Sequence, residues 1–275
     1  MTILDATLLG LLQGIAEFLP VSSSGHLAVA KRLFGLSEVP LLFDVVLHVA
    51  TLAAVVLFFR KRIGAILVSL YRWVLRRADA SDSGNLGLSV AVIAGTVCTG
   101  VIGVLLGKLV GEGSLRLISS CFIATAVLLV VSERIVRRRA LAQATDTVED
   151  RKGRLGLREG IFVGIAQGIG VLPGMSRSGI TISASLVAGV DRQEAGEFSF
   201  LLSIPAILGA FILEFKDADT LMTNVDPLAL AVGCAVAFVS GFFALHFLLR
   251  LIKGGKLSWF AIYLVPLGIM GLMFL

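Results

Sequence analysis

Apolar residues run along this chain in blocks long enough to cross a lipid bilayer. A bilayer core of about 30 Å takes about 20 helical residues. Six segments meet that length, at about 43–59, 86–107, 115–133, 196–215, 227–249 and 257–275. The first is the shortest and carries Asp44 and His48 in its interior. Two other apolar regions, 3–34 and 159–190, are interrupted, the first at Leu19-Pro20-Val21-Ser22-Ser23-Ser24-Gly25 and the second at Leu172-Pro173-Gly174-Met175-Ser176-Arg177-Ser178-Gly179. Each half makes only roughly 20 Å of helix, too little to span. Pro and Gly stop one helix, and the serines that follow cap the next. The pattern predicts two re-entrant helical hairpins.

The two breaks resemble each other. Each has Leu-Pro and then Ser-x-Ser-Gly, and each is preceded by Gln-Gly-Ile, at Gln13-Gly14-Ile15 and Gln167-Gly168-Ile169. Three spans follow each break. The expected fold is therefore an all-α polytopic membrane protein of two repeats, 1–136 and 155–275, joined by a polar linker at 137–154. Three crossings per repeat is an odd number, so the second repeat is expected upside down relative to the first. Loop charge agrees. Residues 60–77 carry six Lys or Arg, 134–158 carry eight and 250–256 carry three, whereas 108–114 and 216–226 carry one each. Counting crossings from the hairpins puts the three basic loops on one face, which the positive-inside rule makes cytoplasmic. Both termini then lie outside, and the breaks enter from opposite faces to meet near the midplane, where inverted-repeat proteins build polar sites.

Composition narrows the picture further. Of 275 residues, 57% are hydrophobic and 16% charged, against about 25% charged in a soluble domain, and the mean hydropathy is +0.95. The formal net charge of +5 comes from clusters between apolar runs, which argues against nucleic acid as a partner. Cys98, Cys121 and Cys234 lie in apolar stretches without CxxC spacing, so neither a disulfide framework nor a metal knuckle is expected. No cleavable signal peptide is expected, because the first segment lacks a basic start and carries Gln13 and Glu17 in its middle. A homodimer is left open.

The chemistry gathers at the breaks. Gln13 and Glu17, spaced i, i+4, share a helix face beside Pro20. Ser22, Ser23, Ser24 and Gly25 open a helix whose first turn offers unpaired N–H groups to an anion, with His26 one turn from Ser22 and Ser23. The second break supplies Gly174, Ser176, Arg177, Ser178 and Gly179, and the planar fork of Arg177 suits phosphate. Bland readings exist: serines at helix starts are usually N-caps, and a buried Glu can bind a backbone N–H. Yet ionisable groups inside a membrane cost roughly 2.5–3.5 kcal/mol on insertion scales and are functional by default. His246 reads as structural. Asp44 and His48 divide evenly between support of the site and a helix-packing polar pair.

The stretch Gln13-Gly14-Ile15-Ala16-Glu17-Phe18-Leu19-Pro20-Val21-Ser22-Ser23-Ser24-Gly25-His26 resembles the first signature of the undecaprenyl-diphosphate phosphatases of the bacitracin-resistance type. Pro173-Gly174-Met175-Ser176-Arg177-Ser178-Gly179 resembles the second, and Glu197-Phe198-Ser199-Phe200-Leu201-Leu202 with Pro205 is similar to a further stretch. The resemblance covers essentially the whole chain. It implies hydrolysis of undecaprenyl diphosphate to the monophosphate and inorganic phosphate, recycling the carrier lipid of cell-wall synthesis, with a site open to the outer face of the cell membrane and a divalent cation, Mg²⁺ or Ca²⁺. Gln13 departs from the family, whose first helix often has Glu there, and an amide is a weaker ligand for a hard cation. In the expected mechanism Arg177 and the helix N-termini clamp the diphosphate. Ser23 is the nucleophile, with Ser22 second, and His26 is the base. Glu17 orients His26 or holds the metal, and attack by metal-bound water stays open. The rival class is a lipid flippase or secondary transporter on the same inverted repeats.

Overall fold

The computed structural model describes residues 1–36, 39–110, 114–143, 155–215, 221 and 223–274. Among them helix follows helix, and no strand occurs. In chain order the principal helices are α1 (Ile3–Phe18), α2 (Ser23–Leu33), α3 (Leu41–Phe58), α4 (Arg60–Val74), α5 (Ser83–Val110), α6 (Leu115–Gln143), α7 (Leu157–Ile169), α8 (Arg177–Val187), α9 (Arg192–Glu214), α10 (Pro227–Lys253) and α11 (Phe260–Phe274). Six helical segments are long and apolar enough to cross a membrane, those of α3, α5, α6, α9, α10 and α11, and they coincide with the six apolar runs. α5, α6 and α10 reach further than those runs. The arginines after Ser132 continue α6 out to Gln143, because Arg is a good helix former even where it ends an apolar run. The linker at 137–154 is thus helical up to Gln143, and its remainder, 144–154, lies outside the described residues.

Charge is misleading at 60–77. The segment reads as a connecting loop, but Arg60–Val74 forms α4. Its apolar residues recur at helical spacing among the arginines, and Leu67, Val68, Tyr71, Trp73 and Val74 are exposed. Arg62 of α4 pairs with Glu197 of α9 and donates to Asn85 Oδ1 of α5 at 2.6 Å, tying the helix to the spans beside it.

Besides α4, four helices are too short to count as spans: α1 has 16 residues, α2 11, α7 13 and α8 11, whereas the 15 residues of α11 are extended by the turn Leu257–Trp259. They come in two pairs, α1/α2 and α7/α8, each joined across a proline-containing break. Glycine lets them dock closely. α1 packs on α10, where a Cβ added to Gly10 would fall 2.3 Å from the Gly233 carbonyl oxygen. α7 packs on α5, where a Cβ on Gly164 would fall 2.5 Å from Gly95 Cα. Helices in lipid associate through such close approach, since apolar burial gives little drive there. α3 packs on α9, and α6 on both α8 and α11, while α1 and α7 each keep one apolar face exposed, with Leu4, Leu8 and Leu11 on the first and Ile161, Phe162 and Ile165 on the second. Buried Phe18, Phe122 and Phe198 fill the space around the breaks.

Candidate functional site

Proline ends α1 beside its last carboxylate. Leu19 leaves the helix in an extended conformation, Pro20 follows, and Ser22 turns the chain with a φ of +72°. A non-glycine residue in that region costs on the order of 1–3 kcal/mol, a strain typical of functional sites. The turn is held locally: Ser22 Oγ accepts the Gly25 N–H at 3.3 Å, and His26 Nδ1 lies 2.7 Å from the Ser22 carbonyl oxygen. The second break is built alike, with Gly174 at φ +87° and Ser176 Oγ accepting the Gly179 N–H at 3.1 Å. Two capped helix N-termini result, those of α2 and α8.

The breaks touch. A Cβ on Gly25 would stand 2.8 Å from Gly174 Cα, and one on Gly179 would stand 3.2 Å from Pro20 Cβ. Across this seam Arg177 Nη2 pairs with Glu17 Oε1. Glu17 Oε2 accepts from Ser23 Oγ at 2.6 Å and from Gln13 Nε2 at 3.0 Å, and His48 Nε2 lies 3.2 Å from the same oxygen. Gln13, Glu17, Ser23 and Arg177, residues from both breaks, thus form one cluster. Ser22 and Ser24 approach each other at 3.4 Å, Ser176 and Ser178 at 3.3 Å. Ser22, Ser23, Ser24, Glu17, His48, Gln167, Ser176 and Arg177 line a cavity of about 200 Å³. A wider one of about 1060 Å³ shares Ser24 and His48 with it and carries Lys31, Arg32 and Arg116 beside Asp44 and Glu214 on its wall.

His26 is not brought to the Ser23 hydroxyl. Its Nδ1 faces the Ser22 carbonyl and its Nε2 lies 2.7 Å from Tyr263 Oη, with the ring stacked on Tyr263. The imidazole in the cluster is instead His48, contributed by α3. Asp44, one turn earlier, pairs with Lys31 of α2 at 2.6 Å and gives its backbone carbonyl to His48. A signal for His48 exists in the sequence, a histidine amid an apolar span, but nothing in the spacing says which break it faces. Thr181, whose hydroxyl meets Ser199 of α9, and Gln167, held by Thr99 of α5, are further buried polar residues that the sequence reading does not assign.

A resident Mg²⁺ or Ca²⁺ does not suit this donor set. Among the described residues no three His, Cys, Asp or Glu converge. Both oxygens of Glu17 are engaged, one by a guanidinium whose charge occupies the place a cation would take. Gln13 turns its amide N–H to Glu17 and so acts as a donor there.

Membrane-crossing helices around a carboxylate, a guanidinium and a ring of hydroxyls at two helix N-termini define a polytopic protein able to bind an anionic headgroup within the bilayer. Comparison with known proteins is specific. Residues 6–270 match the family described as bacitracin resistance protein BacA, and the chain belongs to that family. It is 51% identical to the undecaprenyl-diphosphatase of Treponema denticola over 98% of this chain and 96% of the relative. Identity to the undecaprenyl-diphosphatase of Carboxydothermus hydrogenoformans is 40% over 96% of this chain and 94% of the relative. For that of Desulforapulum autotrophicum it is 38% over 99% and 98%.

Proposed function

We propose that this chain hydrolyses undecaprenyl diphosphate to undecaprenyl phosphate and inorganic phosphate at the seam between the two breaks. The observation that carries the reading is the contact of Ser23, at the start of α2, with Glu17, which in turn holds Arg177 at the start of α8. In a diphosphate the terminal phosphoryl group is the electrophile. Arg177 and the N–H groups opening α2 and α8 receive its oxygens, and they stabilise the charge that spreads over them as the anhydride bond breaks. Ser23 Oγ attacks in line. Glu17 orients both the hydroxyl and the guanidinium, and Gln13 fixes Glu17. Ser22, Ser24 and Ser176 supply hydroxyls around the headgroup, with Ser178 beside Ser176, while Gly25 and Gly174 let the two breaks close on each other. The divalent cation implied by the family is carried in this reading on the diphosphate itself, and no step is assigned to it. At about 0.8 kcal/mol per buried CH₂ the isoprenoid stays in the bilayer throughout.

In the same reading α1/α2 and α7/α8 are re-entrant hairpins of two inverted repeats, 1–136 and 155–275. Their lengths support this, as does the reciprocity of their docking, α1 on the second span of the later half and α7 on the second span of the earlier one. The Lys and Arg count of the loops supports both termini outside, and the site then opens to the outer face. A flippase needs an anion site but no hydroxyl held on a carboxylate, so the enzyme is favoured. The test is phosphate release by purified protein from undecaprenyl diphosphate in detergent, where no second leaflet exists. Steady release is expected, and binding without release would return the reading to a transporter.

A further inference from the structure

We infer that His48 is the catalytic base of this site, receiving the Ser23 proton as the hydroxyl attacks; the inference rests on the serine mechanism proposed above. Nδ1 lies 2.7 Å from the Asp44 carbonyl oxygen, an atom that can only accept, so Nδ1 carries a proton, and it is in the neutral ring that Nε2 presents a lone pair. That lone pair faces Ser23 Oγ at 3.5 Å and Glu17 Oε2 at 3.2 Å. Catalytic hydrogen bonds are often this long before substrate binds. His48 also lines both cavities.

Two acceptors 3.2 Å apart repel until one gains a proton. The Ser23 proton is the one at hand, and an imidazolium at His48 would face the Glu17 carboxylate directly. Glu17 is ill placed to keep that proton itself, because protonating it breaks the pair that holds Arg177 against the phosphate. His26 has both ring nitrogens engaged elsewhere.

The bonds balance. As the Ser23 Oγ–P bond forms, the bond from the terminal phosphorus to the bridging oxygen breaks and the lipid monophosphate leaves with that electron pair. The Ser23 proton passes to His48 Nε2 and from there to the departing phosphate. Water then attacks phosphoserine, giving a proton to Nε2 as its oxygen bonds to phosphorus. The P–Oγ bond breaks, and the proton returns to Ser23.

Three variants of the full chain in detergent, assayed with undecaprenyl diphosphate, test this. His48→Gln keeps a polar side chain in the span but is no base. It is expected to retain the wild-type melting temperature within a few degrees and KM within about threefold, while kcat falls at least about a hundredfold. Turnover within about tenfold of wild type, or a loss carried by KM alone, overturns the assignment. Should His48→Gln fail to fold, His48→Ala decides: added imidazole is expected to restore turnover at least about tenfold and the weakly basic pyrazole is not. Equal restoration by both, or by neither, overturns it. Ser23→Ala separates the two levels. If it keeps turnover, the serine mechanism itself fails. If it is inactive while His48→Gln is not, only the base is wrongly assigned.

Discussion

Arg177 meets Glu17 through Nη2, and the planar fork of its guanidinium matches two oxygens of a phosphate. Arg177→Lys keeps the charge and loses that geometry. It should therefore elute and melt like the wild type while kcat/KM drops about a hundredfold, the scale of removing one transition-state partner. Near-wild-type turnover would make Arg177 a structural residue. At this scale the sequence is informative about which residues gather and less so about which atoms meet. Glu17, Ser23 and Arg177 stand beside helix stops and starts, so their motifs carry their position. His26 lies three residues after Ser23, a spacing that suggests a shared face. But a helical side chain leans back towards the N-terminus, and that lean takes the imidazole to the Ser22 carbonyl. His48 is 25 residues from Ser23, and only the packing of α3 against α1 brings them together.

Among the elements, the short helices are the ones whose docking places the chemistry. α7 can seat Arg177 only if it approaches α5 backbone to backbone. Gly164→Val puts side-chain atoms where Gly95 already lies and should lower the melting temperature by several degrees, with activity falling in parallel. Gly100→Ala is the control: its Cβ would meet nothing within 4 Å, and the stability of the purified protein should be unchanged or slightly higher. Equal effects from the two substitutions would remove close glycine packing as the cause. The six spans were legible because a run of some 20 apolar residues has few other uses. α4 was not, because six basic residues in 18 positions suggest a loop until their helical spacing with Ile63, Leu67 and Trp73 is weighed.

For the whole molecule the proposed orientation rests on loop charge. With α4 and the arginines closing α6 inside, an impermeant maleimide added to intact cells should label Ser114→Cys and leave Ala78→Cys untouched until the membrane is permeabilised. The reverse pattern would invert the molecule and with it the face to which the cavity opens. Whether the meeting of the two breaks is the hydrolytic centre is decided most directly by Ser23→Ala, with turnover of undecaprenyl diphosphate and binding of the same lipid measured on one preparation. The expected result is binding within a fewfold of wild type and phosphate release lower by at least about a hundredfold. Undiminished release from Ser23→Ala, with the lipid diphosphate still bound, contradicts it.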